Sequence, residues 1–282
     1  MKKVAVLQDL SSFGKCSLTA AIPVLSVMGV QACPLPTAIL TAQTGYPSFF
    51  CEDLTSKMNY FTEEWSKLHA TFDGIYTGFV TGSEQINNIF RFLDKFHTKE
   101  TTLLVDPVMG DVGEVYKLFT DELLIQMKEL VKRAEVITPN ITECCLLSGL
   151  SYEKLHHYSN ESDYLKAIEE VGNVLHQETG AKVIITGINP PSTDSDKQVI
   201  GNMYLNGNRT FYRAMQYNGK SYSGTGDLFA SVIVGSMLRG EEMEKAVQLA
   251  EAFLTMAIND SSSEQIPEVE GVNFEKYLGM LL

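Results

Sequence analysis

The chain has 282 residues, 44% of them hydrophobic and 10% aromatic, enough to bury a core in one large α/β domain or two small ones. Its formal net charge of -13 comes from 35 acidic against 22 basic residues, and no run of Lys and Arg is long enough to attract nucleic acid or anionic lipid. A polyanionic partner is therefore not expected, and no apolar run approaches the length of a membrane span.

Along the chain, "KKVAVLQ" predicts a strand. Its apolar run is too short for a signal peptide and is broken by Gln8 and Asp9. "SLTAAIPVLSVMG" predicts a helix apolar enough to pack on a sheet, closing at Gly29. "FTEEWSKLHATF", with Trp65, fits an amphipathic helix better than a ring-stacking platform. Strands are expected in "DGIYTG", "TTLLVDP", "AEVITPN" and "AKVIIT", separated by helical patterns such as "SEQINNIFRFLDKF" and "TDELLIQMKELVKR". Repeated βαβ units of this kind predict a three-layer α/β fold, a mainly parallel central sheet with helices on both faces. His156 and His157, in "SYEKLHHYSN", read as a solvated loop. Between Gly187 and Gln216 the pattern changes to polar turns and two alternating runs, which predict an antiparallel hairpin turning near Asn206 and Gly207. Two helices follow, from about Gly226 and about Glu242. No repeat or linker divides the chain, so residues 1–282 are expected to form a single domain. Five cysteines, Cys16, Cys33, Cys51, Cys144 and Cys145, are odd in number and lack metal-site spacing. A reduced, cytoplasmic protein with free thiols is expected, with Cys144 and Cys145 as core thiols on a helix.

The chemistry lies at the ends of strands, where ligands gather in sheets of this type. "VDPVMGD" ends one strand with Asp106, and "ITPNITE" ends another with Asn140 and Glu143. Each alone reads as an ordinary turn or cap. On neighbouring strands, the two carboxylates would offer hard oxygen ligands suited to Mg²⁺ carrying substrate phosphates. In "SYSGTGDLFAS", Gly224 and Gly226 allow a tight turn and close approach of a ligand. The N–H groups of that turn and the following helix dipole would hold the charge of a phosphoryl group in flight. Asp227 could take the proton of the attacking hydroxyl.

"GTGDLFAS", "DPVMGD", "TPNITE" and "AILTAQTGYPSF" together resemble the ribokinase-like superfamily and, within it, the pyridoxal (vitamin B6) kinases, from about Lys3 to about Asn259. The resemblance implies an ATP-dependent kinase that phosphorylates a hydroxymethyl group of a B6 vitamer with Mg²⁺, commonly as a homodimer, and leaves a monovalent cation open. It makes Asp227 the base and the N–H groups of Gly224, Thr225 and Gly226 the anion hole. Asp106 and Glu143 then belong to the metal and phosphate region with Asn140 nearby, while Thr186 and Gly187 lie by the nucleotide phosphates. The segment from Thr41 to Phe50, with Thr44 and Tyr46, would border the vitamer. Two positions that face the pyridine ring depart from the family pattern: Asp9 stands where Ser is usual, and Phe79 where Tyr is usual. Either Asp9 pairs with a protonated ring nitrogen or the pyridoxamine ammonium, or it caps the turn "LSSFG". Some bifunctional relatives carry a reactive cysteine after "DPVM", where this chain has Gly110 and Asp111. The departures leave room for hydroxymethylpyrimidine or a sugar as substrate. A vitamer-binding protein without turnover would not need a base in an anion hole, and "LSSFGKCS" lacks the glycine spacing of a dinucleotide fingerprint.

Overall fold

The computed structural model describes residues 1–155, 157–191 and 198–282. The chain separates into two compact units, Met1–Leu104 with Lys220–Leu282, and Val105–Gly219.

The first unit begins with β1 (Lys3–Ser11), α1 (Ser17–Val27), β2 (Gln31–Leu40), β3 (Cys51–Asp53), α2 (Thr55–Lys67), β4 (Gly74–Thr77), α3 (Ser83–Phe96) and β5 (Thr102–Val105). Its strands run in the order β3-β2-β1-β4-β5. β1 is parallel to both β2 and β4, and the short edge strand β3 is antiparallel to β2. Five successive residues of β1, Val4 to Gln8, are fully buried. Because alternate strand residues face opposite sides, this run requires cover on both faces of the sheet. One layer packs α2 on α3, and the other packs α1 on the C-terminal helices described below. On α3 the buried positions Ile86, Ile89, Phe92, Leu93 and Phe96 repeat at helical spacing. Phe92 meets Trp65 and Phe72, so Trp65 belongs to an aromatic packing cluster. Helix α1 gives way to Gly29 in the left-handed region, φ 74°, where the sequence places its end.

The second unit carries the hairpin β6 (Gly110–Asp111) and β7 (Glu114–Val115), then α4 (Asp121–Val131), β8 (Val136–Ile137), α5 (Ile141–Ser148), α6 (Tyr152–Leu155), α7 (Glu161–Thr179), β9 (Lys182–Ile188), β10 (Val199–Leu205) and β11 (Thr210–Gln216). Here the strand order is β8-β9-β10-β11, with β8 parallel to β9 and β10 antiparallel to both neighbours. The predicted hairpin is β10–β11. Its turn is held by Asn206 Oδ1, which accepts from the N–H groups of Asn208 and Arg209, and by Gly207 at φ 77°. His157 lies in an exposed turn, whereas His156 and residues 192–197 of the polar stretch before the hairpin lie outside the described residues.

The first unit ends with α8 (Thr225–Leu238), α9 (Met243–Ser263) and two 3-10 stretches, Glu268–Glu270 and Phe274–Leu281. Helix α8 is buried nearly all round, as its apolar run from Leu228 to Val234 requires. The chain is thus α/β with mainly parallel strands, as expected, and among the described residues no helix is long and apolar enough to cross a membrane.

Candidate active site

In the first unit the start of α8 is fixed by one glycine. Gly224 sits at φ 80°, and the carbonyl oxygen of Lys15 occupies the space that a Cβ would need. Only glycine meets both demands. Gly224 caps α8 without a side chain, so the N–H groups of Thr225, Gly226 and Asp227 form a first turn with no intrahelical acceptors. Thr225 turns its hydroxyl back to the Tyr222 carbonyl at 3.0 Å. Gly226 is exposed, and nothing lies within 4 Å of where its Cβ would be. The fold itself therefore has no need of glycine at 226. Asp227 stands at the third helical position and is half-buried.

Asp9 ends the buried part of β1. It is 3% exposed and accepts a hydrogen bond from Ser11 Oγ at 2.7 Å and another from the Ser17 hydroxyl. Burial nevertheless holds its carboxyl above the ordinary range. The bond from Ser11 is a local one within "LSSFG", of the kind the turn-capping alternative expects, while Ser17 belongs to the start of α1. Ser17 opens α1 at φ 48°, a left-handed conformation uncommon for a residue other than glycine. Just before it, Cys16 is buried, and its thiol is pushed well up by burial and by the carboxylates of Asp227 and Asp9. The base candidate and the departing acid therefore flank one inert thiol. Sequence reading gave Cys16 and Ser17 no place in the site, only a free thiol and the start of a helix.

The segment from Thr41 to Phe50 is organised by Gln43, a residue with no sequence-level role. Its side chain is buried, accepts the Gly45 N–H at 2.7 Å, and donates to Ser223 Oγ at 3.2 Å and to the Val269 carbonyl at 2.9 Å. Thr44 and Tyr46 flank that anchored Gly45 and are both half-buried. The Tyr46 ring meets Phe13 edge-on at 5.7 Å, and its hydroxyl is buried with no hydrogen-bond partner. Phe79 is half-buried, and its carbonyl accepts Thr37 Oγ1 at 3.0 Å. Asp9, by contrast, is met by Ser11 and Ser17.

In the second unit, Asn140 and Glu143 form a capping box at the start of α5. Asn140 Oδ1 accepts from Glu143 N at 3.0 Å, and Glu143 Oε2 accepts from Asn140 N at 2.9 Å. Glu143 Oε1 accepts from Met109 N at 3.1 Å, and Asn140 Nδ2 donates to the Gly110 carbonyl at 2.8 Å. Asp106 is buried and accepts from Thr138 Oγ1 at 3.0 Å. Desolvation raises Asp106 to about 7. It also lifts Glu143 well above the ordinary range, helped by the neighbouring Asp106 charge. Two hard-oxygen donors this close, both resisting ionisation, suit a cation that would take the place of the proton. Among the described residues no cluster of three or more His, Cys, Asp and Glu could hold a metal. Asn140 also bridges Thr186, whose N–H donates to the Pro139 carbonyl at 3.0 Å, and Gly187 follows, exposed at φ 69°. Cys144 and Cys145 lie buried on α5 with thiols raised by desolvation, that of Cys145 to about 11, as core thiols should be.

Comparison with known proteins matches this chain to the phosphomethylpyrimidine kinase family over residues 13–270. Among solved structures, a protein of Bacteroides thetaiotaomicron assigned as a phosphomethylpyrimidine kinase, in a crystal form with pyridoxal, is 37% identical with a TM-score of 0.89, covering 99% of this chain and 95% of that one. The pyridoxal kinase of Lactobacillus plantarum is 28% identical with a TM-score of 0.86, covering 100% of this chain and 97% of its own. The pyridoxal kinase of Dictyostelium discoideum is 26% identical over 280 residues, spanning 94% of this chain and 89% of that protein.

Proposed function

Since the chain belongs to the phosphomethylpyrimidine kinase family, we propose that it is an ATP-dependent kinase that phosphorylates the 5'-hydroxymethyl group of a B6 vitamer, pyridoxal, pyridoxine or pyridoxamine. The observation that carries this reading is the start of α8, where a turn of N–H donors without a side-chain cap and a carboxylate share three residues. The vitamer hydroxyl attacks the γ-phosphorus, Asp227 accepts its proton, and the bond from phosphorus to the departing ADP oxygen breaks. The N–H groups of Gly224, Thr225 and Gly226 take up the charge on the transferring group. Asp9, Thr44, Tyr46 and Phe79 border the vitamer. The likeness to proteins named pyridoxal kinase, and to one crystallised with pyridoxal, supports the substrate class.

In the second unit Asn140, Thr186 and Gly187 would serve the nucleotide phosphates, and Asp106, with Glu143, would hold Mg²⁺. Magnesium, when bound, neutralises phosphate charge. Glu143 already spends one lone pair of each oxygen on a backbone N–H, which leaves Asp106 as the principal ligand. The reading takes residues 1–282 as one kinase domain, acting in the cytoplasm as a homodimer, with a monovalent cation as an optional activator. Gel filtration and a titration with K⁺ and Na⁺ test the last two points.

A second reading, a kinase for hydroxymethylpyrimidine, is favoured by the family's own name and by the acid at position 9. A coupled assay of ATP turnover with pyridoxal, pyridoxine, pyridoxamine and hydroxymethylpyrimidine separates the two. The vitamer reading requires a B6 vitamer to give the largest kcat/KM, and a preference for hydroxymethylpyrimidine overturns it.

A further inference from the structure

Three successive carbonyls of the 3-10 stretch Glu268–Glu270 each receive a donor from a different functional segment of the first unit. Glu268 O accepts from Ser223 N, in the turn that starts α8, at 3.0 Å. Val269 O accepts from Gln43 Nε2, in the segment of Thr44 and Tyr46, at 2.9 Å. Glu270 O accepts from Lys15 N, in the connection between β1 and α1, at 3.2 Å. The Glu268 side chain adds a fourth bond, from Ser221 N at 2.8 Å. Of the three donors to the carbonyls from other segments, two are backbone and only Gln43 is a side chain. Gln43 also reaches Ser223 Oγ directly, its Oε1 holds Gly45 N, its own N–H donates to Phe13 O at 2.9 Å, and its Cγ lies 2.6 Å from where a Cβ on Gly14 would sit. The buried side-chain amide thus has its donors and its acceptor engaged with Ser223, Val269 and Gly45, which restricts its placement.

We propose that Gln43 is a positioning residue: its amide sets the distance between the vitamer-side segment and the anion-hole turn, using the carbonyls of residues 268–270 as a common base. The proposal rests on the kinase reading above for what the two segments do. Its geometric content stands apart from the identity of the substrate. In phosphoryl transfer, attack depends on alignment of the acceptor hydroxyl with the phosphorus, and a shift of about 1 Å costs on the order of 10²-fold in rate. Loss of the link therefore lowers kcat more than it changes binding.

Gln43→Glu keeps the acceptor for Gly45 N and removes the donors to Val269 O and Ser223 Oγ. Gln43→Met, of similar shape, removes all three. With whichever hydroxymethyl substrate the wild type phosphorylates, both variants are expected to lower kcat by roughly 10- to 100-fold, with KM for that substrate and for ATP changed less than about threefold. Hydrogen–deuterium exchange is read on the same proteins without substrate. It should accelerate at least about tenfold at Ser221 and Ser223 in both variants and at Gly45 in Gln43→Met, and remain at wild-type rates in Val105–Gly219. A folded variant with wild-type kcat, or with unchanged exchange at Ser221 and Ser223, overturns the proposal. If the wild type phosphorylates no B6 vitamer, the kinase reading for vitamers fails, while the exchange result still decides the role of Gln43.

Discussion

At the scale of single residues, four acids carry distinct expectations. Asp227 is to act on a proton in flight, so Asp227→Asn should lower kcat by roughly 10²- to 10⁴-fold with vitamer KM little changed; steady-state kinetics on the folded variant check this, and near-normal turnover refutes the assignment. Asp9 is buried between two hydroxyls, and an ammonium or ring N–H of the vitamer would give it a charged partner. Asp9→Asn should then raise vitamer KM by roughly 10- to 150-fold, most for pyridoxamine if its ammonium is that partner. The same residue predicts a pH effect on stability. Because its folded-state pKa is raised by burial, the folded chain keeps this proton where the unfolded chain has lost it. The stability from this site is full below the ordinary Asp range and falls as pH rises toward the raised value. Asp9→Asn removes that loss, so the melting temperature of the variant relative to wild type should climb as pH rises above the ordinary Asp value of about 4; a flat difference contradicts it. Asp106→Asn can keep an acceptor for Thr138 and should raise the Mg²⁺ concentration for half-maximal activity about tenfold. Glu143→Gln is a poorer probe, since an amide NH₂ would meet a backbone N–H and unfasten the capping box, a cost of about 1 kcal/mol visible in the melting temperature.

At the scale of elements, the two glycines at the start of α8 make a matched pair. Gly224→Ala forces a Cβ against the Lys15 carbonyl in a left-handed conformation and should cost about 2 kcal/mol or more in stability. Gly226→Ala meets open space and should fold with nearly the wild-type melting temperature while losing at least about tenfold in kcat, because only the transferred group feels its methyl. Calorimetry and kinetics on the pair separate the scaffold role from the chemical one; equal effects on stability would refute the distinction. Legibility of the elements followed the strength of local signals. The spacing of Ile86, Ile89, Phe92 and Phe96 marked α3 end to end, and "LNG" marked the β10–β11 turn. Strand β2 was obscured by Pro34 and Pro36, which weaken any strand pattern and are tolerated here within a parallel pairing to β1. The β6–β7 turn was obscured because Val112, a β-branched residue at φ 51°, stands where Asn or Gly would announce such a turn.

At the scale of the whole molecule, the α/β class and the acids at strand ends could be read from alternation and motif, because both are local patterns. The base of the site could not, since the carbonyls of residues 268–270 belong to the backbone and leave no mark on the side-chain sequence. Only the partners hinted at it, and Gln43 lies 226 residues from Val269. Lys15 is further still from its ionic partner Glu275, a separation of 260 residues. This distance along the chain has a consequence in time. Residues 9 to 46 are synthesised well before the piece that seats them, so a nascent chain stalled before residue 268 carries every motif and should have no turnover. Refolding should show the same order, as contacts of such long range close late. The single tryptophan, Trp65, reports on the local α2–α3 packing, so its fluorescence should recover ahead of enzymatic activity in a dilution from denaturant. Coincident recovery would mean that the C-terminal base assembles together with the helices and sets no schedule of its own.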